Sequence, residues 1–159
     1  MMKKKLLICL LALLLCACSA LPAFAAEAPD ATNVTLLENG SRITETCEIL
    51  SVTTNARSST QTISGRKAIA HTNDDGSTPF VFYIYATFEV NYNVSVTCVS
   101  TYYEYEIADS SWKFDSASTW CDGEDARGTY VFKEKVLFIT TTTVEGACRL
   151  SCTKTGTLY

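Results

Sequence analysis

Residues 80–107 read FVFYIYATFEVNYNVSVTCVSTYYEYEI, and their hydrophobic side chains alternate with more polar ones. Every even position from Phe80 to Val90 is apolar, which is typical of a β-strand with one buried face. The stretch is longer than an ordinary strand of about five or six residues. The turn-forming triplet NYN at 91–93 therefore predicts two antiparallel strands, one at 79–90 and one at 94–103 that extends as far as 107.

Further strands are predicted on both sides of this stretch. Threonine and other β-branched residues favour strands over helices in these segments. The runs HTNDDGSTP (71–79) and DGEDARG (122–128) predict loops, and Glu145-Gly146 predicts a turn. The remaining strands are expected within 41–59, 61–70, 112–120, 129–142 and 147–154, and 129–142 forms two strands if it bends near 133–135. Seven or eight strands of this kind predict an all-β fold, an antiparallel two-layer sandwich of immunoglobulin-like type.

The N-terminus predicts export. The cationic start MMKKK, the apolar run at 6–15 and the small residues up to Ala25 are typical of a secretory signal peptide at 1–25. The apolar run is shorter than the roughly 20 residues that a membrane-spanning helix needs. In an alternative interpretation, residues 15–18 form a lipobox and Cys18 carries a lipid, although no polar tether follows it. Both interpretations predict a secreted or cell-surface protein.

Residues 26–42 are predicted to be a linker or a frayed first strand, and residues 43–159 the sandwich domain. Cleavage of the signal peptide removes three of the 13 basic residues and none of the 17 acidic ones. The net charge of the remaining chain is therefore about −7. This charge argues against a nucleic-acid partner and against an anionic membrane surface. Membrane association is expected only if Cys18 is lipidated.

Five cysteines remain after cleavage, and disulfides are the usual state of cysteines outside the cytoplasm. Cys148 and Cys152 lie four residues apart, about 13 Å along a strand. A disulfide needs Cα atoms within about 7 Å, so each requires a partner on another strand. We expect Cys98 to pair with Cys152 and Cys121 with Cys148, which leaves Cys47 as a free or intermolecular thiol.

Few residues indicate catalysis or metal binding. His71 is the only histidine and falls in a predicted loop, so a small secreted hydrolase is the weaker alternative. A zinc site on the last three cysteines would lack the usual second ligand pair. The acidic runs at 73–75 and 122–125 offer oxygen ligands but match no calcium loop. No catalytic residue, metal or cofactor is predicted.

The tyrosines offer a candidate ligand surface. Tyr83 and Tyr85 lie opposite the buried face of their strand, and Tyr103 and Tyr105 repeat this pattern on the next strand. If the two strands pair, four rings are expected on one outer face, where they suit a sugar or a protein partner. The alternative is simple cross-strand aromatic pairing.

The segments FEVNYNVSVTCVS (88–100), Ser110-Ser111-Trp112 and RLSCTKTGTL (149–158) resemble parts of a broad group of small exported proteins of Gram-positive bacteria. That group comprises predicted β-sandwiches without an assigned activity, and Ser111 stands where its members tend to have glycine. The resemblance covers about half of the chain and implies an exported sandwich in which Cys98 meets Cys152.

These observations together predict an exported, non-enzymatic binding or structural module of a bacterial cell surface, with an unidentified protein or glycan partner. A carbohydrate-binding module that uses the surface tyrosines is the alternative within the binding class.

Overall fold

The computed structural model describes residues 32–54, 59–137 and 139–159. The predicted signal peptide, including Cys18, lies outside the described residues. The strands are β1 (Thr32–Leu36), β2 (Arg42–Thr54), β3 (Thr60–Thr72), β4 (Phe80–Asn91), β5 (Ser95–Ile107), β6 (Trp112–Asp122), β7 (Asp125–Val136) and β8 (Ile139–Ser151). The part of the chain that the structure describes contains no helix long and apolar enough to cross a bilayer.

The strands form two antiparallel sheets, as predicted: a five-stranded sheet β1-β2-β3-β4-β5 and a three-stranded sheet β6-β7-β8. Within each sheet, every strand pairs with the strand next to it in sequence, so each sheet is a meander, and the chain passes from one sheet to the other between β5 and β6. The Greek-key connections that define the immunoglobulin topology are absent among the described strands. The sandwich architecture is confirmed, with a simpler connectivity.

The core lies between the inner faces of the two sheets. The even residues of β4 are all buried, as the alternation of the sequence predicts. Phe80 stacks on Phe132 of β7 with ring centroids 3.9 Å apart, and Phe82 packs against Tyr130 at 4.7 Å. These aromatic contacts join β4, the most apolar strand, to the central strand of the smaller sheet.

The C-terminal third of the chain differs from the prediction. Asp122 pairs directly with Asp125, so only Gly123 and Glu124 form the turn where a seven-residue loop was expected. Gly123 has a φ of +63°, which suits a tight turn. Residues 129–142, expected to form one strand or two with a bend near 133–135, are divided between β7 and β8, and the predicted turn at Glu145-Gly146 lies inside β8. Asp122 and Asp125 lie in strands, and Arg127 forms ion pairs with both of them.

Two β-bulges change which residues face the core. In β5, Ser100 pairs with Thr87 and Cys98 with Phe88, so Val99 is an extra residue. In β6, Asp115 is extra in the same way, between Phe114 and Ser116. Because side chains alternate along a strand, one additional residue exchanges the two faces beyond it.

The structure corrects the predicted disulfides. Cys98 is bonded to Cys121, with Cα atoms 5.4 Å apart, and the bond links β5 of one sheet to β6 of the other. Cys98 is buried whereas Cys121 is exposed, and the amide of Cys98 donates to the carbonyl oxygen of Gly123 at 2.8 Å. Cys148 and Cys152 are buried free thiols, and Cys47 is also buried. Since Cys121 is consumed by the disulfide, the zinc site considered above is excluded.

Candidate functional site

The outer face of the five-stranded sheet carries a group of aromatic and charged side chains, which we call the tyrosine face. Its central row runs across four strands, because Glu48 pairs with Arg66, Arg66 with Tyr85, and Tyr85 with Tyr102. The rings of Tyr85 and Tyr102 are parallel within 2° and 4.6 Å apart. This separation matches the spacing of neighbouring strands, about 4.8 Å, so the rings stand upright on the sheet.

Arg66 organises the tyrosine face. Its Nε lies 2.8 Å from Glu48 Oε2, and its guanidinium carbon lies 5.3 Å from the centroid of the Tyr83 ring. Hydrogen bonds to Tyr85 and to Glu48 raise the pKa of Arg66. Burial, together with the carboxylate of Glu106, raises the pKa of Tyr83. Both effects favour the protonated phenol of Tyr83, which donates a hydrogen bond to Glu106.

The predicted four-tyrosine face is wrong for Tyr103 and Tyr105. Tyr83 pairs with Glu104 and Tyr85 with Tyr102, so Tyr103 and Tyr105 lie on the opposite, inner face. The cause is the bulge at Val99. In a regular hairpin, the pairing of Asn91 with Ser95 beside the turn would continue along both strands and place Tyr103 opposite Tyr83.

Tyr103 and Tyr105 nevertheless contribute to the surface, because β5 is an edge strand. Tyr105 stacks on Phe114 of β6 at 4.3 Å but remains 42% exposed. An open cleft of about 440 Å³ wraps around this edge. Its lining comes from both faces of β5 and from the neighbouring strand: Tyr83, Tyr103, Glu104, Tyr105 and Glu106. We call it the β5-edge cleft.

The two carboxylates of the β5-edge cleft lie on one strand, two residues apart. Glu104 and Glu106 are both exposed and both point outward from β5. Their hydrogen bonds go to Tyr85 and Tyr83. A glycosidase requires two carboxylates on opposite sides of the scissile bond, and neighbours on one face of a strand do not provide this arrangement. The geometry suits hydrogen bonding to a ligand.

Sequence reasoning missed a charged pair at the edge of the core. Lys67 lies on the inner face of β3 and is 9% exposed, and its Nζ is 3.6 Å from Glu45 Oε2. The pair and Cys148 line the same cleft. Burial raises the pKa of the Cys148 thiol to about 12, while the charge of Lys67 lowers it. A protonated thiol is a weak nucleophile, so this group has no evident chemistry. Lys67 is separated from Ile63 and Ile69 by an even number of residues, so the alternation of β3 could have predicted that its side chain faces the core with theirs.

His71 was predicted to lie in a loop, but the structure places it in β3, one residue before the end of the strand, where its side chain is buried. It is 4% exposed, stacks on Phe80 at 5.2 Å and lies 5.8 Å from Trp112, measured between ring centroids. Burial lowers its pKa, so the ring is neutral at physiological pH. No nucleophile hydrogen-bonds to it within the described residues.

In each of the two acidic segments considered as calcium ligands, one aspartate is engaged by other side chains. Asp75 accepts hydrogen bonds from the amide and hydroxyl of Ser77 at 2.8 and 2.6 Å. Asp125 is buried and accepts from Ser151 Oγ at 2.7 Å and Arg149 Nε at 2.8 Å. Burial alone would raise the pKa of Asp125, but these hydrogen bonds and the arginine charges hold it below its usual value. Within 32–54, 59–137 and 139–159, no cluster of three metal-ligating side chains occurs.

No protein family, curated protein or solved structure matches this chain. The resemblance to small exported proteins of Gram-positive bacteria therefore remains a prediction, and the function has to be inferred from the geometry of the chain itself.

Proposed function

We propose that this protein is a non-enzymatic, extracytoplasmic binding module and that the edge of β5 binds a glycan. The observation that carries the proposal is the exposed aromatic and acidic composition of this edge. Tyr102 is 55% exposed and Tyr105 is 42% exposed, and Glu104 lies between them. An apolar ring face next to hydrogen-bonding groups is the chemistry that sugar rings require.

The upright rings favour a particular mode of binding. Tyr85 covers one face of the Tyr102 ring, and Tyr102 belongs to an edge strand with no further strand beside it. A sugar ring can therefore stack on the second face of Tyr102. Glu104 and Glu106 are close enough along β5 to accept hydrogen bonds from its hydroxyl groups.

The disulfide between Cys98 and Cys121 supports the extracytoplasmic location, because such bonds persist in oxidising compartments. It also supports a role in binding, because it joins β5 to β6 at Cys98, four residues before Tyr102, and so restrains the strand that carries the proposed site. A rigid edge loses little conformational entropy when a ligand binds.

Polysaccharide pull-down and calorimetry on the identified glycan test this proposal. We expect Tyr102→Ala to weaken binding about tenfold, which corresponds to about 1.4 kcal/mol, and Glu104→Gln to weaken it as well. Tyr92→Ala is the matched control, since Tyr92 is similarly exposed at 43% but lies in the β4–β5 turn. The proposal is refuted if no glycan binds, or if Tyr102→Ala and Tyr92→Ala bind equally well.

A further inference from the structure

A second cleft lies at the end of the sandwich, away from the tyrosine face. It measures about 490 Å³, within the range of about 300–1,000 Å³ that is usual for small-molecule sites. The turn between β1 and β2 and the turn between β3 and β4 form one side of its mouth. The two turns touch, because a Cβ atom on Gly40 would lie 3.3 Å from Asp74 Cβ.

Two side-chain nitrogens beside this cleft are shielded from solvent and have no hydrogen-bond partner within the described residues: His71 Nδ1 and Trp112 Nε1. Both residues line the cleft, and they are 4% and 3% exposed. An unpaired buried polar group costs about 1–3 kcal/mol of stability, so the presence of two such atoms in one place requires an explanation. A hydroxyl group suits both, since it can accept from the indole N–H and either donate to or accept from a neutral imidazole.

The mouth of the cleft is acidic. Four carboxylates line it, and none of its lining residues in the described part of the chain is lysine or arginine. Glu134 is engaged by Thr141 and Thr142, and Asp75 by Ser77. The side-chain carboxylates of Asp74 and Glu145 have no hydrogen bond or ion pair to the described residues. Two available carboxylates without a neighbouring cation attract a positively charged group and repel an anion.

We propose that this cleft binds a hydroxylated primary amine, of the class to which protonated amino sugars belong. The ammonium group lies between Asp74 and Glu145, and a ring hydroxyl reaches Trp112 Nε1 and His71. A zwitterionic amino acid is disfavoured because its carboxylate would face the same four acidic residues. An unsubstituted polyamine is disfavoured because it offers the indole N–H no oxygen acceptor.

The chain has only two tryptophans, which allows a direct test with D-glucosamine. In a Trp120→Phe variant labelled with ¹⁵N, Trp112 gives the only indole N–H resonance. Titration with D-glucosamine should shift this resonance saturably, and D-glucose, which lacks the amine, should produce a much weaker effect. Asp74→Asn combined with Glu145→Gln should weaken the apparent affinity about tenfold, the usual size of one such electrostatic contribution.

The control combines Glu89→Gln and Glu124→Gln in the Trp120→Phe background, which removes two exposed carboxylates outside the cleft. It should bind D-glucosamine as tightly as the Trp120→Phe variant does. Tyr102→Ala should also leave the shift unchanged, which separates this site from the proposed glycan site. The inference is overturned if D-glucosamine produces no saturable shift, as expected when water alone bonds the two rings. It is also overturned if D-glucose binds equally well, or if both double variants bind alike.

Discussion

Replacing Cys98 and Cys121 together by alanine removes the covalent link between the two sheets, and we expect it to destabilise the protein by about 3 kcal/mol. The bonded residues are 23 positions apart. In the chain-entropy model, closing a loop of this length restricts the unfolded chain by that amount. For a domain of about 130 residues, the loss corresponds to a decrease in Tm of about 10 °C.

Urea unfolding with and without a reductant measures this effect. Oxidised wild-type protein should lose about 3 kcal/mol on reduction, whereas the double variant should be insensitive to the reductant. A Cys148→Ala, Cys152→Ala variant is the control, since it keeps the disulfide and should respond to the reductant as wild type does. A linkage of Cys98 to Cys152 in unreduced peptide maps would refute the reasoning, as would equal sensitivity of the Cys98/Cys121 variant and wild type.

Three further predictions concern the core and its charged edge. Phe132→Ala should lower the free energy of unfolding by about 3–5 kcal/mol in urea titrations, because this ring is fully buried and stacks on Phe80; a loss below 1 kcal/mol would contradict this packing. Asp125→Asn should destabilise the protein at pH 7. The folded-state pKa of Asp125 lies below its unfolded value of about 3.9, so its stabilisation is present above that value and is lost as the pH falls through the folded-state pKa. The deficit of the variant should therefore shrink in acid, and a constant deficit between pH 7 and pH 3 would show that the charge is not responsible. Burial raises the pKa of Cys148 to about 12 and of Cys152 to about 11, so both should resist iodoacetamide at pH 8 until the protein unfolds; rapid alkylation of the native protein, seen by mass spectrometry, would contradict this.

The fold class was predictable because the pattern of β4 is unambiguous. Its six even-numbered residues are apolar, and the structure buries all of them. The turn between β4 and β5 was also predictable from residue type, although it comprises residues 92–94 instead of 91–93. Its Asn93 adopts a φ of +59°, which asparagine tolerates better than most residues. Alternation and turn chemistry are local properties, and one sequence suffices to detect them.

The disulfide was not predictable on the same grounds. The prediction placed Cys121 at the edge of a loop, because residues 122–128 are rich in aspartate and glycine. In the structure, Arg127 forms ion pairs with Asp122 and Asp125 across the β6–β7 hairpin. These ion pairs stabilise the hairpin at 122–125 as regular strand. Cys121 therefore lies at the end of β6, within bonding distance of Cys98. The sequence shows the charges but not which of them meet.

The bulge at Val99 has the largest effect on the candidate site. Without it, Tyr103 and Tyr105 would join Tyr83 on the outer face, and the inner face of β5 would carry Tyr102 and glutamates against the core. With it, aromatic rings emerge on both sides of one edge strand, with carboxylates between them. Bulky and charged side chains on an edge discourage pairing with strands of other molecules. The same side chains leave ring faces and acceptors open to a smaller ligand, so a single inserted residue accounts both for an edge protected against strand addition and for the site that we propose there.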